Sequence, residues 1–323
     1  MNPLVSILAV SYNHAEFVIE TLESIRKQTY QNIQLVIIDD YSTDNTVELI
    51  EGWIKEHQVV CTFIAHQENQ GVCKTYNEGL NLCKGKYYST ISCDDVMLPE
   101  KTTKQVEFFE KQDDTVGMVY SDAEVFDERD NTTNSFIETY RKDTIKPTGE
   151  IFEELMKENF IPAMSVLIKK SVFDELNGFD EELIFEDYDL FLRLARSYNV
   201  LYLNACFIQY RVHGENLHLK MQEIRGYNQT MGRIYLKHFE YSEIAKQKLY
   251  DSFDLLDNLK SLPFAIQKLN ASHHRLILSW RYRIGNLVFK LLGVFIPKFR
   301  KDENNEEFVE HYKVSINEFK RFI

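Results

Sequence analysis

Short apolar runs rich in β-branched residues alternate with helical segments from residue 4 to about residue 120. The helical segments are predicted over 16–28, 44–56, 71–83 and 99–111. This alternation predicts an α/β fold in which a mostly parallel sheet is flanked by helices on both faces. Ligands of such sheets bind at the carboxyl ends of the strands, so the polar residues after each run are the first candidates for a binding site. They are Tyr12, Asn13, Asp39, Asp40, Asp94, Asp95 and Asp122.

The pattern changes after the fifth apolar run, VGMVY. From residue 121 to about residue 150 the chain is polar and irregular, which indicates a loop or a strand excursion over the sheet edge. A second block then combines helices near 150–157 and 186–197 with strands near 200–212. Beyond about residue 220 helical patterns replace the strand signals, so we predict an α/β domain over 1–220 and a C-terminal helical region over 221–323.

Composition excludes several classes of protein. The net charge of −13 would repel a phosphate backbone over most of the surface, so we expect no nucleic-acid partner. The five cysteines contain no C-x-x-C pair, which argues against a disulfide framework or a zinc site and favours a reducing compartment. The opening MNPLVSILAV has no basic stretch before its strand pattern, so we expect no cleaved signal peptide and a cytoplasmic location.

The ends of the first two strands, in VSYNH and IIDDYSTDNT, suit a nucleobase. Tyr12 offers a face on which a uracil ring can stack, and Asp40 can accept the N3–H of that ring. The alternative is that Tyr12 packs at the rim while Ser42 or Thr43 with Asp44 caps the next helix. Both can hold, because capping residues and ligand residues lie side by side here.

The adjacent carboxylates Asp94 and Asp95 end an apolar strand in YYSTISCDDVMLP. Buried like charges raise each other's pKa unless a cation neutralises them, which favours a metal site. Mg²⁺ or Mn²⁺ commonly links one or two carboxylates to substrate phosphates, so we take Asp95 as the direct ligand. Asp94 would contact the ribose or a metal-bound water. The alternative is that the pair only caps a following helix.

A third acidic pair, Glu186 and Asp187, lies at the predicted start of the helix in GFDEELIFEDYDLFLRLA. The helix dipole favours carboxylates there whatever their function. A carboxylate that stays ionised can also remove the proton from an attacking hydroxyl, and Asp187 is the candidate for that base. Asp189 points away from Asp187 and is the weaker candidate.

The last strand ends in QYRVHGEN, where a histidine and an arginine follow one another closely. His213 can complete a metal shell, and Arg211 can meet a phosphate. The alternative for His213 is a solvated or packing side chain in a loop.

Taken in order, these elements resemble family 2 of the glycosyltransferases, the inverting group with the GT-A fold. The resemblance covers about residues 4–217 and rests on VSILAVSYNHAEFVIETLESIRKQTY, IDDYSTDNT, HQENQGVCKTYNEGL, the CDD triplet, and FEDYDLFLRLA followed by YRVHGEN. It implies a Rossmann-like, mostly parallel sheet flanked by helices. Within it, residues 1–122 would bind the nucleotide and residues 123–220 would form the acceptor side.

The resemblance also implies roles for individual residues. Those that border the nucleoside are Ala9, Tyr12, Asp40 and Asp94, the D-x-D element with its Mn²⁺ or Mg²⁺ is Asp94 and Asp95, and the catalytic pair is Glu186 and Asp187. The usual first aspartate of D-x-D is Ser92 or Cys93 here, which moves the metal contact chiefly onto Asp95.

The implied reaction is a direct displacement, in which a sugar leaves a UDP-sugar and forms a β-linkage to a saccharide acceptor. The last strand lacks the Q-x-x-R-W motif of processive synthases, so a single addition is expected. Ala163, Met164 and Ser165 are candidates to face the acceptor.

The segment from 275 to 301 contains seven basic residues, no acidic residue and many aromatic and aliphatic side chains. Its apolar part is too short to span a bilayer but suits the interface of an anionic inner membrane leaflet. A polyprenyl-diphosphate-linked acceptor of surface-polysaccharide assembly would fit that location by analogy with the family. The alternative is a helix that packs on the catalytic domain or on a second subunit of a homodimer.

Two other functions compete with transfer. A sugar nucleotidyltransferase would need a Gly-rich phosphate loop after the first strand, which SILAVSYNHAEF lacks. A non-catalytic nucleotide-sugar-binding protein or scaffold would be expected to carry a damaged base position, whereas FEDYDLFLRL is intact.

Overall fold

The computed structural model describes residues 2–127, 133–141, 145–214, 216 and 226–258. The chain divides into two compact units, Met1–Met221 and Gln222–Ile323. Segment 275–301, for which contact with a membrane or a second subunit is predicted, lies outside the described residues.

Nine strands of the described chain form one sheet in the first unit. They are β1 (Val5–Ser11), β2 (Ile33–Asp39), β3 (Cys61–Ala65), β4 (Tyr87–Ser92), β5 (Val96–Met97), β6 (Val116–Asp127), β7 (Thr133–Ser135), β8 (Leu167–Lys169) and β9 (Asn199–Val212). Their order is β3-β2-β1-β4-β8-β6-β9-β5, with β7 paired to β6. The first four strands are parallel, β8 is antiparallel to both its neighbours, and β9 is parallel to β6.

Helices cover this sheet. They are α1 (Val18–Arg26), α2 (Thr46–His57), α3 (Val72–Leu82), α4 (Lys101–Phe109), α5 (Phe136–Arg141), α6 (Phe152–Lys157), α7 (Lys170–Leu176) and α8 (Asp187–Ala195). The predicted α/β fold, a sheet flanked by helices, is therefore confirmed; the sheet is parallel over its first four strands and mixed beyond them. The six helices predicted before residue 200 are all present, and most of their ends lie one or two residues inside the predicted bounds.

The core explains why the strands read as continuous apolar runs. Every residue of β1 is buried, because β2 and β4 flank it and helices cover both of its faces. From α1, Leu22 and Ile25 join Ile50 and Trp53 of α2 in the same apolar cluster. Full burial of one such aliphatic side chain stabilises a fold by about 1.5–3 kcal/mol. The carboxyl ends of β1, β2 and β4 are thereby held at one edge of a rigid sheet.

The polar segment after residue 120 is more regular than a loop. Strand β6 continues to residue 127, β7 pairs with it, and α5 follows. Asp122 organises this region, because its Oδ1 accepts the N–H of Ala123 and Ile137 while its Oδ2 accepts the Ser135 hydroxyl and lies 3.2 Å from Lys146 Nζ. Hydrogen bonds to the buried Asp122 carboxylate hold these elements together, and such polar contacts leave no apolar pattern in the sequence. The strands expected near 200–212 are one 14-residue strand.

In the second unit, the described residues form helices α9 (Tyr227–Lys237) and α10 (Glu243–Asn258), which pack on each other. Their buried side chains include Ile234, Tyr235, Ala245 and Leu249. Across the described part of the chain, each helix is too short or too polar to cross a membrane.

Candidate active site

The loops after β1 and β2 are bound to each other at the sheet edge. Fully buried Asp39 accepts the Ser11 hydroxyl at 2.7 Å and the backbone N–H of Ser42 at 2.8 Å. Asn13 lies in the left-handed region with φ of 58°, which asparagine tolerates, and its Oδ1 accepts the N–H of Thr43 at 2.8 Å. These bonds fix the edge that the sequence predicted for the nucleobase.

Two tyrosines project from this edge. Tyr12 is 47% exposed and Tyr41 is 45% exposed, which leaves both rings accessible to a ligand. Tyr41 also has φ of 69°, an unfavourable conformation for an aromatic residue and one that is most often kept at functional sites. Ala9, the other residue expected to border the nucleoside, is completely buried within β1.

Asp40 is held by the loop that follows β3. Its Oδ1 accepts the Nδ1–H of His66 and the N–H of Gln70, both at 2.8 Å, and its Oδ2 accepts the N–H of Gly71 at 3.0 Å. The Asn69 side chain also donates to the Asp40 backbone carbonyl. Asp40 is only 5% exposed, so any nucleobase would meet a carboxylate already fixed in direction.

Asp94 lies between two histidines. Its Oδ2 is 3.1 Å from His213 Nε2 and 3.8 Å from His14 Nε2. Its Oδ1 is buried and has no hydrogen-bond partner among the described residues. Burial alone would raise the pKa of Asp94, but the hydrogen bond from His213 and the charge of His14 outweigh it and lower the pKa. The structure therefore brings His213 to Asp94 Oδ2 and leaves Asp94 Oδ1 available to a cation.

Asp95 has a different environment. It is 1% exposed, and its Oδ1 accepts the backbone N–H of Arg211 at 3.0 Å. Burial, followed by the adjacent charge of Asp94, raises the pKa of Asp95 well above its ordinary value. The helix-cap alternative for the pair is wrong, because α4 begins at Lys101 with Glu100 at its cap position.

The guanidinium of Arg211 is directed into the protein. Its Nε donates to the Asp94 backbone carbonyl at 3.0 Å, and its Nη2 pairs with the Glu20 carboxylate. Its Cζ lies 4.9 Å from the centroid of the Phe17 ring. The predicted phosphate contact of Arg211 would need this side chain to exchange partners. In the arrangement observed, Arg211 instead supports the acidic pair from β9.

Donor chemistry at this edge fits one side of a Mg²⁺ or Mn²⁺ site. Within the described ranges, His, Cys, Asp and Glu side chains do not form a group of three that could hold a metal alone. These ions usually keep water and substrate phosphates as most of their ligands, so a complete protein cage is not required. The Asp94 Oδ1 has no hydrogen-bond partner among the described residues, and the pKa of Asp95 is raised; both are expected of a carboxylate pair that binds a cation.

Glu186 and Asp187 begin α8, as predicted, with Glu186 at the cap position. Burial and the neighbouring Asp187 raise the pKa of Glu186 to about 8. Burial also raises the pKa of Asp187, but hydrogen bonds from the Tyr188 N–H at 2.7 Å and Asn159 Nδ2 at 3.0 Å oppose that change. Within the pair, the hydrogen bonds to Asp187 favour its charged form, whereas burial and the charge of Asp187 favour the protonated form of Glu186.

A small recess, partly open to solvent, adjoins this pair. It is lined by aromatic and aliphatic side chains around Tyr76 and Tyr88, and Ala163 of the predicted acceptor turn reaches it. Ser165, by contrast, is fully buried and accepts through its carbonyl from Gln105. Asp189 points into the protein, where it is buried and bonded to Arg193 at 2.7 Å.

Three polar residues near these groups were not singled out from the sequence. His14 stood within VSYNH and His66 within HQENQGV, but a single histidine gives no signal of its partners. Asn159 is separated from Asp187 by 28 residues, so only the fold brings it to the base.

The mixed sheet and its flanking helices have the GT-A glycosyltransferase fold. The chain belongs to glycosyl transferase family 2, whose family model matches residues 6–176. The resemblance to family 2 that the sequence suggested is thereby confirmed.

Individual relatives agree with this assignment. A Rickettsia felis protein described as an uncharacterized glycosyltransferase is 31% identical over 216 residues, which are 66% of this chain but only 35% of the relative. The mannosyltransferase PcManGT from Pyrobaculum calidifontis, solved with GDP-Man and Mn²⁺, is 17% identical with a TM-score of 0.57 and covers 90% of this chain and 86% of its own. S. aureus TarS 1–349, solved with UDP-GlcNAc, is 14% identical with a TM-score of 0.58 and covers 93% and 95%. The two solved structures support the fold.

Proposed function

We propose that this chain transfers a sugar from a UDP-sugar to a saccharide acceptor with inversion of the anomeric carbon, in a reaction that requires Mn²⁺ or Mg²⁺. One observation carries the proposal: buried Asp94 keeps an unpartnered Oδ1 at the end of β4, on the edge of the sheet that also presents Tyr12 and Asp40. A site that combines an aromatic face, a fixed carboxylate and an anionic oxygen suits a uracil ring followed by a metal-bound diphosphate.

Asp187 would act as the base in this reaction. Two hydrogen bonds hold its carboxylate in place and favour its charged form, while burial and Asp187 raise the pKa of neighbouring Glu186 to about 8. As the acceptor hydroxyl attacks, Asp187 would take its proton, which is the charge balance that a one-step displacement needs. The apolar recess around Tyr88 would exclude water from the attacking side.

The metal would be held by Asp94 and Asp95, with His213 beside Asp94. A divalent ion there would neutralise the charge that develops on the departing UDP. Arg211 and His14 would position the acidic pair through the contacts described above, rather than by touching the sugar.

The acceptor proposal extends to the location of the protein. A saccharide linked to a polyprenyl diphosphate would present its reactive hydroxyl near the inner face of a membrane, which the basic segment 275–301 would contact peripherally from the cytoplasm. Co-sedimentation of the full chain and of a chain ending near residue 270 with anionic vesicles tests this: equal binding would remove the membrane role and leave packing on the catalytic domain or on a second subunit as the alternatives.

The transfer proposal is tested by UDP release from a panel of UDP-, GDP- and CDP-sugars, with Mn²⁺ or with chelator and with a lipid-linked acceptor extract. We expect release only from a UDP-sugar with metal, and loss of release in Asp187→Asn. Metal-independent turnover that survives Asp95→Ala would refute the metal role. A scaffold would bind UDP and release none from any donor.

A further inference from the structure

His66 connects Asp40 to a second carboxylate on α3. Its Nδ1 is 2.8 Å from Asp40 Oδ1, and its Nε2 is 2.8 Å from Glu78 Oε2. The ring is 3% exposed and follows directly after β3, where its backbone N–H donates to the Asp39 carbonyl at 2.9 Å. Both nitrogen atoms of one buried imidazole are therefore committed to carboxylates.

Two ionised carboxylates accept hydrogen bonds and cannot donate them, so this arrangement requires a proton on each ring nitrogen. Burial by itself would lower the pKa of His66, but the hydrogen bonds to Asp40 and Glu78 outweigh burial and raise it. Asp40 from the end of β2 and Glu78 from α3 are the charged groups that act on the ring. The favoured state is an imidazolium between two carboxylates.

The Asp40 carboxylate accepts three hydrogen bonds and keeps one acceptor position for a ligand. A carboxylate has about four lone-pair positions. His66 and the N–H of Gln70 occupy two on Oδ1, and the N–H of Gly71 occupies one on Oδ2. One acceptor position on Oδ2 remains, in a direction that the other three bonds fix.

We propose that the Asp40–His66–Glu78 chain selects the nucleobase, with His66 and Glu78 as positioning residues that keep Asp40 oriented as an acceptor for a ring N–H. A pyrimidine with a hydrogen on N3, such as uracil, donates to that position. Cytosine presents a lone pair at N3 and is repelled by it. The inference rests on the proposed function for the location of the base at Asp40, and it assigns to His66 and Glu78 the choice between two pyrimidines.

The test compares the dissociation constants of UDP and CDP, because these probes differ only in the pyrimidine and share every diphosphate and metal contact. We expect the native protein to bind UDP about 10- to 100-fold more tightly, as one charge-assisted hydrogen bond would give. His66→Gln should lower this CDP/UDP ratio severalfold. Glu78→Gln, at a side chain that is 39% exposed, should also lower it.

A pH series separates positioning from a merely structural role. The ratio should fall as pH rises through the pKa of His66, because the neutral ring can donate to only one of its two carboxylates. Glu78→Gln removes one of the charges that raise this pKa, so the fall should move to lower pH. The matched control is Glu68→Gln, which removes an exposed charge from the same loop without contacting His66 and should leave the curve unchanged.

The outcomes distinguish the inference from the proposed function. A ratio that is large in the native protein and equally large in His66→Gln and Glu78→Gln at every pH would overturn the inference and leave UDP-sugar transfer intact. Equal affinity for UDP and CDP in the native protein would overturn both the inference and the uracil contact of Asp40. Absence of sugar transfer with a normal, variant-sensitive ratio would refute only the proposed reaction.

Discussion

Replacing Glu186 with glutamine should make the protein more stable at alkaline pH. Burial and Asp187 raise the pKa of Glu186 from an ordinary 4.5 to about 8, so the folded chain binds this proton more tightly than the unfolded chain. The free energy of unfolding must then fall as pH rises from about 4.5 to about 8. Glutamine has the same shape and no proton to lose, so Glu186→Gln removes that dependence.

The magnitude follows from the two pKa values. A difference of about 3.5 between the folded and unfolded pKa corresponds to about 5 kcal/mol at full effect. Glu186 is only partly buried, so solvent screens its charge and about 2–3 kcal/mol is a more realistic gain. The variant should match the native protein near pH 4.5 and exceed it by that amount at pH 8.5.

Urea denaturation at five pH values between 4.5 and 8.5 measures this difference directly. Glu158→Gln is the matched control, because Glu158 is exposed near the same site and its replacement should give a difference that does not change with pH. If the difference in the free energy of unfolding between Glu186→Gln and the native protein does not change with pH, the raised pKa of Glu186 is refuted.

Three further results are expected. Asp187→Asn should lower kcat about 10²- to 10⁴-fold while leaving the dissociation constant of UDP unchanged by calorimetry; unaltered kcat would exclude Asp187 as the base. His213→Gln should weaken Mn²⁺ binding in the presence of UDP about 10- to 100-fold, and unchanged affinity would remove His213 from the metal site. Burial lowers the pKa of Lys101 to about 7, so the folded chain binds this proton less tightly than the unfolded chain and native stability should rise from pH 7 towards pH 10. Any stability gain of Lys101→Met over the native protein should therefore shrink between pH 6.5 and pH 9.5, and a constant difference in urea denaturation would contradict the buried neutral amine.

The alternation of apolar runs predicted β1 to β4 and their helices well, because parallel strands buried on both faces leave a continuous apolar signal. The antiparallel half of the sheet was predicted less well. Strand β5 has only two residues and pairs with the distant strand β9, and β7 has only three and pairs with the preceding strand β6. Sequence periodicity cannot report a strand that short, since its hydrogen-bond partners rather than its own side chains define it.

The residues of the candidate site were also predicted only in part. Asp94, Asp95, Glu186 and Asp187 were identified because adjacent carboxylates at a strand end or helix start are visible in the sequence. His213 was identified as a candidate metal ligand, but its contact with Asp94, 119 residues away, was not, and Asn159, the hydrogen-bond partner of Asp187, was missed. The inward direction of the Arg211 guanidinium was equally hidden, because it depends on Phe17 and Glu20 from α1 and its approach loop.

A crystal structure of the full chain with UDP and Mn²⁺, recorded at a wavelength that reveals manganese by anomalous scattering, tests the central claim most directly. We predict one manganese peak bound to carboxylate oxygen atoms of the Asp94–Asp95 pair, with the diphosphate on its other side and the uracil ring between Tyr12 and Asp40. Manganese or uracil bound away from these residues, in a crystal that contains ordered UDP, would contradict the account.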